Sequence, residues 1–117
     1  MVSNTGALGL QGLQLALTAP AHALCGRRIV QVESSPAEGI DADDLLRIDF
    51  DTHEIGSDSY YVLERRDGAW NGVWRFSRSI SGLQVQDGKH WRPVQQDELS
   101  AFNVLGRVDR VYKSSVF

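Results

Sequence analysis

Two adjacent serines, Ser34 and Ser35, close a strand-like run, Arg28–Glu33, and open a polar loop that ends at Asp43-Asp44. A serine is a nucleophile only beside a group that takes its proton. The histidines, His22, His53 and His90, lie in no Gly-x-Ser-x-Gly elbow or other recognisable frame, so a Ser-His-Asp triad is not expected. The carboxylates Glu38, Asp41, Asp43 and Asp44 crowd the same loop, but they lack the alternation and closing glutamate of a calcium loop. They read as a solvated loop. Cys25 is the single cysteine, which excludes an intrachain disulfide and a Cys-x-x-Cys zinc site. It is expected to be a small buried hydrophobe in a reducing compartment. No Gly-x-x-x-x-Gly-Lys phosphate loop occurs, and neither metal nor cofactor is expected. Trp70, Trp74, Phe76 and Trp91, with arginines nearby, could stack single-stranded nucleic acid. On alternating strands the same residues more often fill a core or a protein interface.

Composition narrows these options. A chain of 117 residues fits one domain with its own core. Its 42% hydrophobic and 23% charged residues describe a globular chain rather than a disordered one. A net charge of −3 argues against a dedicated nucleic-acid binder. The N-terminal run Ala7–Ala23 is apolar and carries Ala21-His22-Ala23, yet no Lys or Arg precedes Arg27 and Gln11 and Gln14 interrupt it. It is therefore read neither as a signal peptide nor as a membrane span, and a cytoplasmic protein without membrane contact is expected.

The elements that must position the candidate residues are mostly strands. Leucines between Ala7 and Leu17 fit a short helix, ended by Pro20, so 1–27 is taken as an N-terminal segment and 28–117 as the domain. Alternation predicts strands at 28–33, 45–50 and 59–65, with Asp67-Gly68 as a hairpin turn into 72–78. The run 79–86 is read as continuing to a second turn at Asp87-Gly88. An edge-like strand at 89–94 follows, marked by Pro93. A helical turn at 97–100 and a long strand at 102–113 close the chain. Six or seven short strands with turns about every ten residues predict a mostly-β sandwich or partly open barrel.

The order of these pieces resembles the C-terminal domain of LexA, UmuD and phage CI-type repressors, the S24 peptidase-like fold. That family reads strand, then Ser-Met-x-Pro-x-x-x-x-Gly-Asp-x-Leu-x-Val. Here Ser35 takes the nucleophile position and Asp44 the aspartate position, with matching separation, and Leu45-Leu46-Arg47-Ile48-Asp49 continues the frame. Tyr61-Val62-Leu63-Glu64-Arg65 resembles the family's Val-Val-Val-Ala-Arg. Val73-Trp74-Arg75-Phe76 resembles Val-Lys-Arg-Leu, whose lysine is the general base. Val104-Leu105-Gly106-Arg107-Val108 resembles the closing Ile-x-Gly-x-Val strand.

The departures are chemical. Pro36 follows Ser35 directly and Asp43 replaces the glycine before Asp44. The lysine position falls on Trp74, or on Arg75 if the frame slips by one. Tryptophan has no basic nitrogen and arginine is effectively never deprotonated. Lys89 and Lys113 lie far outside the frame. Ser35 is therefore expected to be a vestigial nucleophile, and Cys25-Gly26, similar to the family's cleavage dipeptide, a coincidence. The resemblance implies a non-catalytic oligomerisation or regulatory domain of a phage-type or bacterial transcriptional repressor. It would bind DNA only through a helix-turn-helix domain not in this chain. It also implies a homodimer or higher homo-oligomer formed through the last strand, with Val104, Val108, Val111 and Tyr112 at the surface. Two alternatives stand beside it: an active Ser/Lys self-cleaving peptidase in which Lys89 reaches Ser35, and an unrelated β-barrel module binding nucleic acid or a protein partner.

Overall fold

In the computed structural model the described residues are 25–32, 37–67 and 71–114. The expected helix at 7–17, both serines and Trp70 lie outside them. Seven strands form one antiparallel sheet: β1 (Arg27–Gln31), β2 (Leu45–Asp49), β3 (Ser59–Arg65), β4 (Asn71–Ser79), β5 (Gly82–Asp87), β6 (His90–Pro93) and β7 (Phe102–Tyr112). One short helix, α1 (Gln96–Leu99), precedes β7. The spatial order is β1-β2-β7-β3-β4-β5-β6. The mostly-β class expected from the alternation is what folds, as a single open sheet rather than two separate sheets.

Each face of the sheet carries its own core. Val30, Leu46, Ile48, Val62, Val73 and Val108 fill one, with Val32, Ile40 and Phe50 from the flanking segments. Tyr61, Leu63, Trp74, Phe76, Val85 and Phe102 fill the other, with Ile55. The central strand β3 therefore buries both of its faces, which is why Tyr61-Val62-Leu63 is a continuous apolar run. Edge-on aromatic contacts order the second core: Tyr61 with Phe76 at 6.0 Å and Trp74 with Phe102 at 5.7 Å.

Two readings of the sequence need correction. The run 79–86 does not continue as one strand. It turns at Ser79–Gly82, where Gly82 adopts φ +119°, and β5 returns antiparallel on β4. Ile80 at the tip is fully exposed and imitates a strand residue. Cys25 is exposed, not buried, because it precedes the edge strand β1 and no element packs over it among the described residues.

The last strand also departs from simple alternation. Against β3, Val62 pairs with Gly106 and Leu63 with Val104, so Leu105 is extra. Against β2, Arg47 pairs with Arg110 and Ile48 with Val108, so Asp109 is extra. Each bulge flips the faces of the residues beyond it. Of Val104, Val108 and Tyr112, which share a parity in sequence, Val108 therefore faces the first core while Val104 and Tyr112 face the other side. Gly106 sits between the bulges, and a Cβ there would lie 2.6 Å from the Asp49 carbonyl oxygen. Only glycine allows β2 and β7 to approach this closely.

Candidate functional site

Ser34 and Ser35 fall in sequence between the described residues Val32 and Ala37, and Val32 is bonded on both its polar groups. The Val32 N–H donates to the Asp44 carbonyl at 2.9 Å, and the Asp43 N–H donates to the Val32 carbonyl at 2.8 Å. Asp43 has φ +70°, a conformation Asp tolerates better than most residues. That turn leads into Asp44, the only buried charged residue among those described.

The carboxylate of Asp44 is fully engaged. It accepts from the backbone N–H of Asp41 (2.8 Å) and of Ser114 (2.9 Å), and from Lys113 Nζ (2.6 Å). Burial alone would raise its pKa. The Lys113 hydrogen bond and the two backbone donors outweigh burial and lower it from 3.8 to about 2. Lys113 also donates to Asp41 (2.9 Å) and to the Gly39 carbonyl (3.1 Å). The cluster ties the end of β7 to the turn before β2.

Lys113 was outside the frame in sequence, yet the fold brings it to the turn that follows the serine loop. A buried aspartate requires a partner, and that requirement was the available signal. Its chemistry does not suit a general base. Hydrogen bonding to Asp44, then to Asp41, raises the Lys113 pKa and holds the ammonium protonated. A catalytic lysine needs the opposite shift.

The two readings of the lysine position separate onto opposite faces of β4. Trp74 is 3% exposed, inside the second core. Arg75 is exposed, and its guanidinium lies 5.4 Å from the Tyr60 ring and 5.8 Å from the Trp91 ring. Lys89 falls at the β5–β6 turn, at the opposite end of the strand order from β1. Trp74 and Phe76 are both core residues, so the aromatic set proposed for stacking nucleic acid is divided, with only Trp91 of the described members exposed.

Among the histidines, His53 Nδ1 lies 3.1 Å from the Val104 carbonyl, beside an open groove of about 690 Å³ lined by Glu64, Arg66, Phe102, Asn103, Val104 and Leu105. His90 is exposed on β6, and His22 lies outside the described residues. No cluster of His, Cys, Asp or Glu among the described residues could hold a metal ion. No helix among them is long and apolar enough to cross a membrane.

The residues expected to mediate self-association are spread over the molecule. Val104 packs against the second core, Val108 and Val111 against the first, and Tyr112 is paired with Leu45 on the face opposite the first core. Strand β7 is paired with β2 on one side and β3 on the other. Strand β2 takes one edge over 107–112 and β3 takes the other over 102–108, so neither edge of β7 is open along its whole length. Val108, 4% exposed, is not available to a partner.

No protein-family model matches this chain, and a search of curated proteins returns no significant match.

Proposed function

We propose that the chain is a non-catalytic, self-associating regulatory domain of the repressor type. The observation that carries this reading is the arrangement of the four stretches resembling LexA and CI-type domains. They lie on β2, β7, β3 and β4, four consecutive neighbours in one sheet, and so form one structural unit. The glycine of the last stretch is required by contact with the first, at Asp49.

The same stretches carry no base for Ser35. Trp74 is a core side chain without a basic nitrogen, Arg75 is an exposed guanidinium between Tyr60 and Trp91, and Lys113 is locked to Asp44. Asp44 acts as a latch for the fold rather than as a reacting group. The serine loop is then a fold marker, and the domain's function is to hold copies of its regulator together. A sedimentation-velocity concentration series tests self-association. A dimer or larger species growing with concentration is expected, and a monomer at every concentration up to about 100 μM overturns the reading.

A further inference from the structure

We propose that β1 is the self-pairing edge: a second copy of this chain adds its own β1 antiparallel across it, with Ile29 of both copies at the two-fold axis. The proposal rests on the self-association reading above and moves its surface from β7 to β1.

The two ends of the sheet are built differently. On β6 the Val94 N–H donates inward to the Leu83 carbonyl, so alternation turns Trp91 and Pro93 outward. Pro93 has no N–H, which blunts that edge against strand addition. On β1, the bonds Phe50 N–H to Gly26 carbonyl and Val32 N–H to Asp44 carbonyl mark the even-numbered residues as facing β2. Alternation turns Arg27, Ile29 and Gln31 outward, each with an intact donor and acceptor. No described residue pairs with that outer edge. Ile29 stands in its middle, 58% exposed.

This edge is complementary to itself. An antiparallel pairing centred on Ile29 sets Ile29 opposite Ile29 and Arg27 opposite the other copy's Gln31. All three outward residues then form hydrogen-bonded pairs, each exchanging two bonds. No arginine faces an arginine. The two Arg27 side chains start about 13 Å apart along the strand, beyond a Debye length in physiological salt. Each is also drawn back onto its own sheet, where Arg27 Nε donates to Asp109 at 2.8 Å. Asp109 is placed for this by its bulge and is shared with Arg47 Nε at 2.7 Å. The pairing removes the exposed isoleucine from water and completes both edges at once.

The test uses the whole chain and two substitutions at one position. Ile29→Lys sets two ammonium groups opposite each other at the axis and should shift the sedimentation profile to monomer, with an unchanged far-ultraviolet circular dichroism spectrum. Ile29→Cys in a Cys25→Ser background should form an interchain disulfide under mild oxidation, because paired Cα atoms about 5.5 Å apart suit that bond. Ile80→Cys, in the same background and fully exposed at the β4–β5 turn, is the control and should cross-link at least tenfold more slowly. A dimeric wild type that Ile29→Lys leaves dimeric, or equal cross-linking at both positions, overturns the β1 placement while leaving self-association intact. A monomeric wild type overturns both.

Discussion

Lys113 Nζ lies 2.6 Å from the carboxylate of the buried Asp44 and joins the end of β7 to the turn that precedes β2. The pair gives the buried carboxylate a structural role. It also fixes an acid limb of stability. The folded pKa of Asp44, about 2, lies below its unfolded value of 3.8, so the carboxylate stabilises the fold above about pH 4 and loses that contribution as pH falls toward 2. The contribution is about 2 kcal/mol at neutral pH. Asp44→Asn should lower stability at pH 7 by about that amount and flatten the pH dependence between about pH 4 and pH 2, as read by urea titrations across that range. Lys113→Met should instead move the acid-unfolding midpoint to higher pH, because Asp44 loses its cation.

Gly106 tests the contact between the first and last of the resembling stretches. Gly106→Ala puts a methyl 2.6 Å from the Asp49 carbonyl oxygen and 2.9 Å from the Ile48 side chain. Backbone rather than a flexible side chain must move, and a cost of about 1–3 kcal/mol is expected. The urea midpoint should fall with the slope unchanged.

Val108 separates a surface role from a core role. A self-association surface on β7 would make Val108→Glu a folded monomer. Its burial in the first core predicts loss of the fold instead, because an unpaired carboxylate there has no donor to meet it. Circular dichroism and thermal melting distinguish the two outcomes.

Trp74 and Trp91 should behave oppositely. Trp74→Ala leaves a cavity beside Phe102 and should cost about 3–5 kcal/mol. Trp91→Ala loses an exposed stacking contact with Arg75 and should cost no more than about 1 kcal/mol. Denaturant titrations of the two variants measure the difference.

The strands with strong alternation or continuous apolar character were legible from sequence, and 59–65 coincides with β3. Pro93 correctly marked an edge, because a missing N–H has one physical meaning within a sheet. The features that escaped are those that break local periodicity. Ile80 extended a strand pattern through a turn, and Gly82 was the neglected signal. The bulge at Leu105 turned Val108 to the face opposite Val104 and the bulge at Asp109 turned Tyr112 back, and a bulge depends on the partner strand rather than on its own residues. The resemblance puts Trp74 at a lysine position, whereas its place in the core comes from register with Tyr61, which alternation within its own strand does not show. The Lys113–Asp44 pair joins residues distant in sequence, and only the topology brings β7 against β2.

The central claim is that Ser35 has no base. Intact mass spectrometry of the chain and of Ser35→Ala, after prolonged incubation at alkaline pH, tests it most directly. The arrangement of Trp74, Arg75 and Lys113 predicts a single full-length mass in both samples. Fragments from the wild type that vanish in Ser35→Ala would contradict it.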